Sequence, residues 1–238
     1  MIKLKIVVLV LLVAFFSFSC KKKNNDPAPV PNTNPIVASE AYSNHQADYY
    51  YLDYGGTVTK DSMVVVSYYQ SPPTSSVMPV FVSAGNVYFN GSPLTYSTNQ
   101  YQNSGPVSIN GAITWSVSGS GTITAFAHTY TASHPSYTGG NLLPDTCQKS
   151  AGIAITVSGV SNAASVSVSL FQGTNKLSQQ IFTINGTAFF SATDLSSFAT
   201  AQPITININC GNYKTETLGG VLHGFSNNVF YNKIAYLK

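Results

Sequence analysis

The chain contains no arginine. Eleven lysines face eight carboxylates, and charged residues make up only 8% of its 238 residues. Without guanidinium groups it lacks the bidentate clamp that suits phosphates and guanine edges, which argues against a nucleic-acid partner. Two of the lysines, Lys3 and Lys5, lie in a segment that reads as a removable leader, so the mature chain is nearly neutral. Apolar runs are short as well: none reaches the roughly 20 residues a membrane-spanning helix needs.

Catalytic signatures are equally scarce. There is no G-x-S-x-G elbow and no H-E-x-x-H pair. His45, His128, His134 and His223 show no close metal-ligand spacing. A glycosidase needs two carboxylates about 5–9 Å apart, and the spacing of Asp48, Asp53, Asp61, Asp145 and Asp194 singles out no such pair. No enzyme activity, cofactor or metal site is expected.

What the chain does have begins at its N-terminus. Lys3 and Lys5 precede an uncharged apolar run over residues 6–16, which suits the core of a signal peptide. Ser17-Phe18-Ser19-Cys20 then ends the run with small residues before a cysteine, as in a bacterial lipoprotein signal; Phe18 departs from the small residue usual at its position. The reading is a leader over residues 1–19, acylation of Cys20, and a lipidated, flexible tether over residues 20–37. The alternative is an ordinary export signal with a chance cysteine. Several acyl chains would hold such a protein stably at a membrane, where one chain is marginal. Lys21, Lys22 and Lys23 would sit against anionic head groups, and the Asn- and Pro-rich residues 24–34 read as an extended spacer.

Beyond the spacer the polar residues are mainly Ser, Thr, Asn, Gln and Tyr, with fifteen tyrosines and thirteen phenylalanines that favour strands. Short alternating runs recur between turn signals. Val64-Val65-Val66-Ser67-Tyr68 reads as a strand, and Asn90-Gly91 and Asn110-Gly111 read as hairpin turns. Ile113, Trp115 and Val117 share one strand face, and Ile204, Ile206 and Ile208 alternate with Thr and Asn. Thr193-Asp194-Leu195-Ser196-Ser197-Phe198 looks like one capped helical turn. The pattern predicts an all-β protein of two tandem antiparallel, immunoglobulin-like β-sandwiches, residues 38–140 and 141–238, divided at a Gly- and Pro-marked break.

Four sets of residues are candidates for a role. Cys147 and Cys210 can pair in an oxidising compartment, with two buried thiols as the alternative. Tyr49, Tyr50, Tyr51 and Tyr54 form a cluster whose rings suit stacking on sugars, though strand aromatics are more usually core or cross-strand pairs. Asp61-Ser62-Met63 resembles an acceptor for O-glycosylation, at Ser62. Cys20 is the lipidation site.

Two stretches carry a family resemblance. Gly85-Asn86-Val87-Tyr88-Phe89-Asn90-Gly91 with Leu94 and Trp115-Ser116-Val117-Ser118-Gly119 form the first, and Phe190-Ser191-Ala192-Thr193-Asp194-Leu195 the second. With the leader, the Cys-Lys junction and the spacer, the whole chain resembles the small, mostly uncharacterised lipoproteins of Bacteroidetes-type bacteria. The resemblance implies a cell-envelope address, at the outer membrane, and no particular chemistry. Lysines stand where acidic residues can follow the cysteine in surface-exported members, so the side of the membrane stays open. The expected function is a lipid-anchored, non-catalytic structural or protein-interaction module; capture of carbohydrate is the alternative.

Overall fold

Two long hairpins frame the molecule, and each turns on a pair of glycines. The computed structural model describes residues 41–73, 79–181 and 183–238, so Cys20, the leader and the tether lie outside the described residues. The first hairpin joins β1 (Ser43–Tyr54) to β2 (Thr57–Tyr68). Gly55 and Gly56 both have positive φ there, the requirement of a two-residue type I′ turn. Shorter strands follow: β3 (Val87–Phe89), β4 (Ser92–Pro93), β5 (Thr95–Ser97), β6 (Gln100–Gln102), β7 (Ile113–Val117), β8 (Phe126–Tyr130), β9 (Ser136–Tyr137) and β10 (Thr146–Cys147). Then come β11 (Ile153–Val157), β12 (Val160–Ser161), β13 (Ser165–Gln172), β14 (Asn175–Ile181) and β15 (Gly186–Phe190). The second hairpin closes the chain with β16 (Gln202–Leu218) and β17 (Val221–Leu237), turning at Gly219-Gly220. At about 3.3 Å per residue, each of these last strands runs roughly 55 Å.

The protein is all-β; among the described residues there is no α-helix, only three short 3-10 turns. A nine-stranded sheet runs β14-β13-β16-β17-β1-β2-β6-β5, with β10 paired to the C-terminal end of β17. A four-stranded sheet, β4-β3-β7-β8, and two pairs, β11-β15 and β12-β9, complete the fold. One face of the long sheet carries Ala47 and Tyr49, Val64 and Val66, Ile204, Ile206 and Ile208, and Phe225 and Val229, all buried. They share one continuous core with Trp115, Ile113 and Val117 of β7 and with Ile155, Val157 and Phe190 of the β11-β15 pair. Burying a side chain of this size stabilises by roughly 1.5–3 kcal/mol.

Several expectations need correction. Strand pairing does not divide near residue 140: the long sheet takes β1, β2, β5 and β6 from one side of that point and β13, β14, β16 and β17 from the other. Its central contact is a parallel pairing of β1 with β17, Ser43 opposite His223 through Asp53 opposite Lys233. The described residues accordingly fall in one compact unit. Residues 107–110 are not a strand across Asn110-Gly111; β7 pairs instead with β3 and β8. In the turn Asp194–Ser197, the Asp194 carboxylate reaches back to the amide and hydroxyl of Ser191, and Thr193 makes no side-chain cap. Leu195 and Phe198 are buried together as their spacing predicts.

Cys147 and Cys210 are free and buried. They flank β17 on opposite sides, Cys147 opposite Leu237 and Cys210 opposite Val229. Eight residues of strand separate those registers, roughly 26 Å, against the ≲7 Å between Cα atoms that a disulfide spans. Burial pushes the thiols up to about 11 and about 12 respectively.

Candidate functional site

Alternation along β1 divides the tyrosine cluster between two faces. Tyr49 and Tyr51 point inward. The Tyr49 hydroxyl donates to Asn110 Oδ1 at 3.2 Å and accepts from the Ile109 amide at 3.0 Å, and its ring lies 3.7 Å from Lys60 Nζ. Tyr51 stacks on Tyr231. These two rings belong to the packing of the fold. Tyr50 and Tyr54 point to the opposite, outer face of the long sheet, where Tyr54 is 63% exposed.

Register assembles the rest of that face. Ser167, Asn209, Phe230, Tyr50 and Asp61 form one row across five strands, and Ser169, Asn207, Asn232, Leu52 and Thr59 the next. The Tyr50 and Phe230 rings stack on one another, 4.9 Å between centroids with their planes 10° from parallel. Around them the side-chain amides are held in place: Asn207 Nδ2 donates to Asn232 Oδ1 at 2.9 Å, and Asn228 Nδ2 donates to Asp48 Oδ1 at 2.7 Å. Asn209 Oδ1 has no partner. Gly211 makes room for Asn228, since a Cβ there would fall 2.2 Å from Asn228 Oδ1.

Asp48 is the floor of this arrangement, 2% exposed. Burial raises its carboxyl to about 6, against the hydrogen bonds from Asn228 and Tyr50, which favour the ionised form. Burial and the neighbouring Asp48 in turn raise the Tyr50 phenol. The face therefore offers flat rings and amides of fixed orientation, with very little charge. Such a surface suits a neutral, hydroxyl-rich ligand: an apolar CH face lies against the open side of the stacked rings, and the amides exchange hydrogen bonds with hydroxyls.

A second place gathers charge. A cleft of about 640 Å³ opens between the β1-β2 turn, residues 137–145 and β17, lined by Asp53, Tyr137, Asn141, Asp145, Tyr231 and Lys233. Lys233 Nζ is 2.9 Å from Asp145 Oδ1 and 3.6 Å from Asp53 Oδ2. Gly140 is required on its wall, because a Cβ there would overlap the Tyr231 ring at 2.1 Å. Asp53 and Asp145 are 92 residues apart in sequence, so nothing in their spacing reveals that one lysine holds both.

The histidines are part of the core or its borders. His45 is fully buried among Tyr68, Trp115 and Phe225, with neither ring nitrogen hydrogen-bonded. His223 is buried and satisfied, between Ser43 Oγ at 2.7 Å and Leu218 O at 3.1 Å. Among the described residues no group of three or more His, Cys, Asp or Glu is placed to hold a metal ion. Ser62 is buried, its hydroxyl donating to Val107 O and accepting from the Val107 amide; a sugar on that oxygen would remove the hydrogen it donates.

Sequence reasoning missed Phe230 and the four asparagines, because only the β1-β17 pairing brings them to Tyr50. The strict Ile-Asn alternation of residues 206–209 was a visible sign that β16 presents amides on one face. No protein-family model, curated protein or solved structure matches the chain.

Proposed function

We propose that this chain is a lipid-anchored protein of the bacterial cell envelope, held through Cys20, that captures a neutral carbohydrate on the outer face of its long sheet without transforming it. The observation that carries the reading is the stacked pair Tyr50 and Phe230, set on that face among Asn207, Asn209, Asn228 and Asn232. The open face of a ring in that stack is about the size of a sugar ring, and the scarcity of charge favours neutral glycans over acidic ones. The test is binding of the protein to a panel of neutral and acidic polysaccharides. Saturable binding to a neutral member, weakened roughly tenfold by Tyr50→Ala or Phe230→Ala, is expected, since each ring contributes on the order of 1 kcal/mol. Binding that both substitutions leave intact would remove this face from consideration.

The same face supports a second reading, contact with another envelope protein, favoured by the exposed Leu52, Tyr54, Met63 and Tyr236. Apolar side chains grouped on an otherwise polar surface commonly mark a protein contact. Crosslinking in whole cells that captures one partner, lost on Leu52→Asp, would favour this reading over glycan capture.

A further inference from the structure

We propose that Lys233 and Asp53 condense into an intramolecular amide that ties the first long strand to the last. This goes beyond the binding reading and does not depend on it. The two residues lie directly opposite one another on β1 and β17, which run parallel. Both are buried, Lys233 6% and Asp53 4% exposed, with Nζ 3.6 Å from Asp53 Oδ2. Asp53 is held in a fixed orientation: the Gly56 amide donates to Oδ1 at 3.1 Å and the Tyr231 hydroxyl to Oδ2 at 3.0 Å. Once that carboxyl is protonated, the same donors stabilise the charge that develops when a nucleophile adds to Cγ.

Asp145 supplies the remaining group. Its Oδ1 is 2.9 Å from Nζ, while its side chain is 81% exposed, so it touches the amine and water alike. It takes a proton from the Lys233 ammonium and passes it to Asp53, so that a neutral amine faces a neutral carboxylic acid, and the freed nitrogen lone pair attacks Cγ of Asp53. The C–N bond forms, one Asp53 C–O bond breaks, and that oxygen leaves as water with two of the three ammonium protons; the third stays on the amide nitrogen. No oxidant, reductant or further reactant is needed. A lysine amine becomes a nucleophile when its solvation is removed, and fixed contact replaces a bimolecular encounter. The product also exchanges two buried charges, which are costly to desolvate, for one neutral amide. That amide N–H can still donate to Asp145. The link joins strands 180 residues apart in the chain, at the end of β1 nearest the Gly55-Gly56 turn.

The test is peptide mass spectrometry of the purified full-length protein. A branched tryptic peptide containing both Asp53 and Lys233, lighter by one water than its two parts, is expected in most molecules. It should be absent from Lys233→Arg, which keeps the charge, and strongly reduced in Asp145→Asn. Recovery of Asp53 and Lys233 only in separate linear peptides of unaltered mass would overturn the proposal, as would a branch at Asp145 in place of Asp53.

Discussion

Asp48 gives the sharpest test of how the outer face is built. Its carboxyl is moved from an ordinary 3.8 to about 6, chiefly because burial penalises the charged form. At about 1.4 kcal/mol per pH unit, that displacement corresponds to a cost of up to about 3 kcal/mol carried by the folded protein when Asp48 is ionised. The sign is the reverse of the usual carboxylate. Between pH 4 and 6 the folded state holds a proton that the unfolded state has released, so this group's contribution to stability falls as pH rises through the window. Asp48→Asn keeps the shape, retains an oxygen for the 2.7 Å bond from Asn228, and leaves a polar group beside the Tyr50 hydroxyl. The variant should therefore be more stable than the parent by about 2–3 kcal/mol at pH 8, with the difference shrinking towards zero near pH 3.5. Urea unfolding of both proteins at pH 3.5, 5, 6 and 8 measures this directly. A difference independent of pH, or a variant less stable at pH 8, would refute the assignment of Asp48 as a desolvated carboxylate.

His45 acts in the opposite sense: burial lowers its folded value, with smaller contributions from His223 and His128, so the unfolded chain gains a proton first. Stability attributable to His45 is complete above about pH 6.5 and is lost as pH falls below it; His45→Phe should flatten that acid limb and, by removing two buried nitrogens without partners, raise stability by about 1–3 kcal/mol, read by urea unfolding at pH 5 and 8. Cys20→Ser should move the protein from the membrane fraction to the soluble fraction of exported protein; unchanged membrane retention would count against the lipid anchor.

Much of the local structure was legible in the residues alone. β-Branched and aromatic alternation marked strands such as residues 64–68 and 113–117, Asn90-Gly91 marked a hairpin turn, and the spacing of Ile113, Trp115 and Val117 placed the tryptophan in the core. Each of these depends on neighbours a few positions away. An all-β architecture followed, because no stretch after residue 19 has a helical period long enough to compete. The long-range pairing was not legible. β1 and β17 meet in parallel across some 180 residues, and a parallel contact needs no turn residues between its partners to announce it. The break near residue 140 has every local mark of a boundary, yet strands from either side of it join one sheet.

The same division holds for the candidate sites. Sequence singled out the tyrosines of residues 49–54, and period-two geometry alone implied that they could not all serve one surface. Only the fold decided that Tyr50 and Tyr54 face outward, that Phe230 lies beside Tyr50, and that Cys147 and Cys210 are strand-lengths apart. The chain by itself determined many of its strands and turns and its scarcity of charge, since those follow from the chemistry of adjacent residues. Which residues meet was left to the pairing of β1 with β17, because hydrogen-bond register between distant strands is chosen by the packing of the whole core.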